Sequence, residues 1–212
     1  MIWLFSLVHK SESLEKGDQR LSSFTNMILL SSPNLLDPNF VQSAILMVEH
    51  TVDGAFGIIL NRPTDITLEQ VAVGVEGSWG GLESNVPVYE GGPVMRETIW
   101  LLYEPDSSFL AAQKEREEPD RTEVLPGIYF TSDPETIRFS LAHPSGRYRF
   151  FLGYAGWGEG QLDAEVAAGG WLLSTLNKDM IFYEPAQSLW EDTLDLMGVS
   201  PQNFVDSGGT VN

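Results

Sequence analysis

A chain of 212 residues, 42% hydrophobic and 11% aromatic, can build one sizeable core and is too apolar to be a disordered polyelectrolyte. With no cysteine it can hold neither a disulfide framework, nor a thiolate metal site or iron–sulfur cluster, nor a cysteine nucleophile. Thirty acidic residues against 12 Lys and Arg give a net charge of −18, a field that repels phosphate backbones and argues against direct nucleic-acid binding.

The chain opens on an apolar run, Met1 to Val8, that stops at His9-Lys10. It lacks the leading positive charge and small-residue cleavage site of a signal peptide, and is much shorter than the ~20 residues of a membrane span. The expectation is a segment that packs on the domain, no membrane span, and a cytoplasmic protein. A short helix is expected between Ser11 and Phe24. Met27–Ser31 reads as a buried strand, followed by a loop punctuated by Pro33, Asn34, Asp37 and Pro38. Two apolar runs flank Asp53-Gly54, which predicts a β-hairpin over residues 44–60 turning at that dipeptide. Thr67 opens a short helix through Val71, and residues 74–85 read as a Gly- and Ser-rich loop. Thr98–Tyr103 is a strand, residues 105–122 a surface excursion, and residues 124–131 a strand through Ile128-Tyr129-Phe130. Ser132 or Asp133 caps a helix with Pro134 in its first turn, running to about Leu141. Strands follow at 148–152, 171–173 and 179–183, with a helix from Gln161 to about Ala168 between the first two. The last helix begins near Pro185 and shows Ala186, Leu189, Trp190, Leu194 and Met197 on one face, with Gly198 closing it. The irregular interleaving of strands and helices predicts an α+β fold on a mixed sheet.

The most unusual stretch is Gly153–Gly160, read as a strand-to-helix turn and the wall of any binding pocket. Its spacing is not the dinucleotide fingerprint, it lacks the Lys-Ser or Lys-Thr of a nucleotide-triphosphate loop, and Glu159 stands where a phosphate would sit. The competing reading is a turn in which Tyr154 and Trp157 simply pack. Glu90-Gly91-Gly92-Pro93 suits a tight turn or bulge, or bare backbone that a ligand can approach. Asn61-Arg62 is a recognition pair at a strand exit, or a loop cap and a surface charge. The candidate ligand-binding set is therefore Asn61, Arg62, Gly91, Gly92, Tyr154, Gly156, Trp157, Gly158 and Gln161. Glu49 and His50, as neighbours on a strand, point to opposite faces, and no spacing supports Asp53, Asp37 or His143 as further metal ligands. No Gly-x-Ser-x-Gly elbow occurs. No catalytic residue, metal or cofactor is assigned.

Taken together, Ser32-Pro33-Asn34-Leu35-Leu36-Asp37-Pro38-Asn39-Phe40, Glu49-His50, Gly57-Ile58-Ile59-Leu60-Asn61-Arg62-Pro63, Gly91-Gly92-Pro93-Val94 and Gly153–Leu162 resemble the AlgH/YqgE family of bacterial proteins. The match runs in order from about Met27 to Pro201. It leaves residues 1–26 as an N-terminal segment, 27–201 as a single domain and 202–212 as a tail. The resemblance implies a complex α+β fold with a mixed, partly closed sheet and several helices packed around it. It also brings the label of a transcriptional regulator, from a branch named for control of alginate production, but no catalytic set. Many relatives carry Cys just before the Glu-His pair; here that position is Val48. The functional expectation is a non-catalytic regulatory or binding protein acting through a protein partner or a small ligand. The alternative is a carboxylate-dependent hydrolase with a pocket near Trp157.

Overall fold

The computed structural model describes residues 23–72, 86–113, 120–143 and 146–200. In chain order its elements are β1 (Met27–Ser31), β2 (Ala44–Thr51), β3 (Gly54–Ile59), β4 (Pro63–Thr67), α1 (Leu68–Ala72), β5 (Pro87–Glu90), β6 (Val94–Glu104), α2 (Ser107–Gln113), β7 (Thr122–Leu125) and β8 (Ile128–Thr131). They continue with α3 (Pro134–Ala142), β9 (Arg147–Gly158), α4 (Gln161–Ala167), β10 (Trp171–Thr175), α5 (Lys178–Ile181) and α6 (Leu189–Leu196). The strands join in one sheet in the order β10-β1-β2-β3-β9-β6-β8-β7, with β5 also on β9 and β4 on β5. The α+β expectation holds. The sheet is mixed through the parallel β5–β9 pair, and it does not close into a barrel.

The twelve-residue β9 is the spine. Along one edge, Ala155–Gly158 pair with β3 and Phe150–Leu152 with β5; along the other runs β6. The sheet thus forks at β9, and Gly91 sits in the fork. Its N–H donates to Leu152 O at 2.8 Å and its carbonyl accepts from Ile59 N–H at 2.9 Å. Opposite it, Gly153 has φ +70° and breaks the alternation of β9. Phe151 and Tyr154 consequently share one face, with Ile58, Leu60, Leu102 and helix α6. Phe150, Ala155 and Trp157 take the other. That second face carries two separate clusters, one under α4 around Trp157 and Trp171, the other under α2 and α3 around Phe109 and Phe139.

The hairpin over residues 44–60 is present, but Thr51 pairs with Gly54, so its two loop residues are Val52 and Asp53. Gly54 (φ +147°) is needed for a different reason: a Cβ there would lie 2.5 Å from Trp157 O on the neighbouring strand. The expected strand-to-helix turn at Gly153–Gly160 is mostly strand. β9 runs to Gly158 because β3 supplies hydrogen-bond partners for its glycine-rich end, and the turn is confined to Glu159-Gly160. The apolar residues 179–183 do not form a strand. Asn177 Oδ1 accepts from the N–H groups of Asp179 and Met180 and opens α5 instead. The surface excursion contains α2, whose start is fixed by Asp106 Oδ1 accepting from Ser108 and Phe109 N–H, and whose Phe109 is buried. Residues 122–131 are two strands, β7 and β8, not one. Asp133 caps α3, accepting from Thr136 N–H at 2.8 Å. The loop expected at 74–85, and all but the end of the helix expected at 11–24, lie outside the described residues.

Lys178 and Arg147 converge on Glu104, tying α5 to the β6–β9 ladder. Lys178's hydrogen bond is the main reason the Glu104 carboxyl is held below its ordinary range; burial works against it and Arg147 adds to it. A lowered carboxylate stabilises the fold above its unfolded pKa of about 4.3, and that stabilisation disappears as pH falls through the lower folded value. Glu104→Gln should therefore lose at most about 1 kcal/mol near pH 6, because both cations are exposed. The deficit should shrink as pH falls below the unfolded value of about 4.3, as read from urea midpoints across pH. Independently, Gly92→Ala should cost about 3 kcal/mol or more, because its Cβ would lie 2.1 Å from the Tyr154 carbonyl carbon. Gly160→Ala, also at positive φ but in open space, should cost about 1–2 kcal/mol in the same unfolding measurement.

Candidate functional site

The nine residues singled out from the sequence fall into three places. Asn61 and Arg62 clamp the loop that follows β1. Buried Asn61 accepts from Ala44 N–H at 2.9 Å through Oδ1 and donates to Gln42 O at 2.8 Å through Nδ2. Arg62 donates to Asn39 O at 2.6 Å and Val41 O at 3.0 Å. Burial lowers the pKa of its guanidinium, and Glu90 and Asp37 pull it back up. The clamped loop lays Phe40 against two indoles, stacked on Trp157 and edge-on to Trp171.

Trp157, Gly158 and Gln161 belong to this second place, under α4. Trp157 is 6% exposed and donates through Nε1 to Glu165 Oε2 at 3.0 Å. Trp171 Nε1 donates to the same oxygen at 2.8 Å, and Gln161 Nε2 to Glu165 Oε1 at 2.9 Å. Gln161 Oε1 also accepts from Gly158 N–H at 3.1 Å, so its amide does reach back to the end of β9. Glu165, which the sequence reading missed, is an anchor that satisfies two buried indoles at once. Next to it, His50 is fully engaged. Its Nδ1 accepts from Phe24 N–H at 3.0 Å, which leaves the proton on Nε2, 3.2 Å from Asp163 Oδ2, and its ring stacks on Phe24 at 4.6 Å. Neither nitrogen is left to act as a base.

Gly91, Gly92, Tyr154 and Gly156 make the third place. Here two backbones cross without side chains between them, and Tyr154 emerges on the α6 face, opposite to Trp157. The Tyr154 ring meets Phe56 at 4.8 Å and Trp100 at 5.9 Å. Trp100 stacks on Phe130 at 5.0 Å, and Phe56 touches both. Tyr154 also leans over Gly156, where a Cβ would lie 3.0 Å from its ring. Phe56, Trp100 and Tyr154 are each only part-buried. Among the described residues, Trp100 Nε1 is the buried side-chain polar atom with no hydrogen-bond partner. Exposed Glu49 stands opposite Phe56 across the hairpin. The ladders beside the cluster are irregular at three points: between Met47 and Glu49, between Val94 and Ile99, and at Gly153. Met95, in the second of these, holds φ +48° with its side chain exposed.

Elsewhere, buried Arg149 donates to Leu60 O, Tyr183 O and Glu184 Oε1 (2.6 Å) and lies over the Tyr89 ring. Burial raises the pKa of the Tyr89 hydroxyl, Arg149 lowers it, and Glu184 raises it further. This network fastens the α5–α6 connection to the sheet. Among the described residues, no group of three or more His, Asp or Glu is arranged to hold a metal ion.

The geometry defines an α+β protein on a forked sheet with an aromatic patch on one face. The chain belongs to the AlgH-like family (DUF179), whose model matches residues 28–202. A UPF0301 protein of Myxococcus xanthus is 36% identical over 182 residues, covering 86% of this chain and 95% of the relative. A UPF0301 protein of Burkholderia thailandensis is 34% identical over 204 residues, covering 92% and 99%. The solution structure of the AlgH protein from Pseudomonas aeruginosa matches with a TM-score of 0.66 at 24% identity, covering 93% of this chain and 100% of that one. A crystal structure of a Corynebacterium diphtheriae protein gives 0.60 at 23% identity, covering 81% and 85%. At these identities the two structures speak to the fold.

Glu165→Ala should cost about 2–6 kcal/mol, since each of two buried indole N–H groups left without an acceptor costs about 1–3 kcal/mol. Glu165→Gln keeps one acceptor oxygen and should lose markedly less. Urea unfolding followed by tryptophan fluorescence compares the two.

Proposed function

We propose that this protein is a non-catalytic binding protein that acts through recognition at the Phe56–Trp100–Phe130–Tyr154 patch. The observation that supports this reading most is the buried indole N–H of Trp100, which has no acceptor among part-exposed rings. A buried donor without an acceptor costs roughly 1–3 kcal/mol, and a partner that completes it recovers that energy. The engaged state of the polar groups on the opposite face also favours recognition over reaction. A hydrolase near Trp157 would need a carboxylate at liberty there, while Glu165 accepts from three side-chain N–H groups and His50 uses both nitrogens. A regulatory role, in keeping with the family's label, would then run through a ligand or protein partner in the cytoplasm, because a net charge of −18 opposes direct contact with DNA.

The test is a backbone amide NMR titration with a panel of small neutral, anionic and cationic aromatic compounds. Shifts are expected to concentrate on β3, β6 and β9 around Phe56, Trp100 and Tyr154. Shifts confined to the Trp157–Trp171 side, or none at tens of millimolar probe, would overturn the reading. In parallel, duplex DNA at ~0.15 M salt should show no micromolar affinity, at a screening length of about 8 Å.

A further inference from the structure

A sheet normally protects its rim. A rim strand offers an open row of N–H and C=O groups that invites pairing with another chain, and charges, proline or bulges there prevent it. Among the described residues, three strands of this sheet have a neighbour on one edge only: β4, β7 and β10. β4 begins at Pro63, carries exposed Asp65 and pairs irregularly with β5. β7 carries exposed Glu123, and its ladder on β8 slips between Glu123 and Leu125. β10 has none of these devices. Trp171-Leu172-Leu173-Ser174-Thr175 pairs with β1 in one unbroken register. Between Glu165 and Lys178 the sequence has no charged residue and no proline. Leu172, Leu173 and Ser174 are only half-buried, and Thr175 is exposed.

The hydrogen bonds around β1 fix which way the β10 backbone points. Ser31 N–H donates to Ser43 O on the β2 side, and Ser32 N–H to Gly170 O on the β10 side. Backbone groups alternate along a strand, so Ile28 and Leu30 bond to Ser174 and Leu172. The N–H and C=O groups of Trp171, Leu173 and Thr175 therefore point away from β1, and they have no hydrogen-bond partner among the described residues. These three positions are symmetric about Leu173. A second β10 laid antiparallel on the same edge sets Leu173 against Leu173 and Trp171 against Thr175 of the second copy, each pair exchanging two hydrogen bonds. Leu172 then stands beside Ser174 of the other copy, and no like charges meet. That matters in a chain of net charge −18, whose copies repel each other wherever their acids face.

We propose that β10 is a dimerisation edge. Two copies of this chain join β10 to β10 about a twofold axis at Leu173, and their sheets run on as one. None of the four rings of the aromatic patch lies on β10, so this contact stands or falls independently of that surface.

Sedimentation velocity of the full chain, from micromolar to millimolar, is expected to show a monomer–dimer equilibrium. It should tighten as salt rises to ~0.15 M, because screening relieves like-charge repulsion. In a mixture of isotope-labelled and unlabelled wild-type chains, a half-filtered NMR spectrum should show an Hα–Hα cross-peak between Leu172 of one copy and Ser174 of the other. That measurement needs no variant. Thr175→Pro removes an outward N–H and spares the β1 ladder, so it should weaken the dimer at least about fivefold while the chain stays folded. Thr175→Ser keeps the N–H and should dimerise like the wild type. A chain that stays monomeric at millimolar concentration overturns the proposal. Fast exchange of the Trp171, Leu173 and Thr175 amides would then mark an edge kept for a different partner, and slow exchange an edge that the chain covers itself. A dimer that lacks the Leu172–Ser174 cross-peak, that salt weakens, or that Thr175→Pro leaves intact uses another surface, and the proposal falls.

Discussion

The crossing of Gly91-Gly92 over Gly153-Tyr154 is the contact on which the rest of the architecture depends. At this point three strands need the same space beside β9, and they fit only because backbone meets backbone. Any Cβ at Gly91, Gly92 or Gly153 would fall within 2.1–2.4 Å of a main-chain atom on the other segment. The crossing has two results. It lets β3 hand over to β5 along one edge of β9, which forks the sheet. It also shifts the side-chain alternation of β9, so that Phe151 and Tyr154, three residues apart, serve the same face.

The two aromatic assemblies of the protein differ in how their polar atoms are treated. Under α4, every indole N–H has a carboxylate oxygen, and the carboxylate in turn is braced by Gln161. That is the pattern of a core in which large aromatic area is buried and the polar handles are matched within the chain. On the α6 face, the part-buried Trp100 indole has ring partners, and its buried N–H has no acceptor among the described residues. Interiors normally match such donors, so the two tryptophan clusters in one small domain differ in how their polar handles are met within the chain.

Much of the local structure was legible in the sequence because its signals are local. The apolar runs of β1 and of the β2–β3 hairpin, the Asp133-Pro134 entry to α3, and the helix beginning at Gln161 all came from neighbouring residues. So did the family, from five short motifs in order. What was not legible depends on partners far along the chain. Residues 179–183 have the apolar, aromatic composition of a strand, yet the Asn177 cap and burial of Met180 and Ile181 make a helix. The glycines of β9 looked like a turn because nothing nearby shows that β3 will pair with them. Trp100 gave no sign of its place in the aromatic patch, because the register of β6 on β9 slips between Val94 and Ile99 and only coordinates show where it resumes. Glu165 was one acid among 30, and its role appears only when two indoles 14 residues apart in sequence are seen to share it.

The spine position of β9 has a dynamic consequence. A strand at the rim, such as β7 or β10, can detach with the loss of a single ladder, so its amides can exchange with solvent through small, frequent openings. β9 has no such route. At Phe150–Leu152 it is paired along both edges, with β5 and with β6, and the strand carries side chains of all three hydrophobic clusters. Removing it dissolves every part of the core at once. The amides of that doubly paired stretch can be freed only by the rarest, whole-molecule opening, which makes the middle of β9 the slowest clock in the protein.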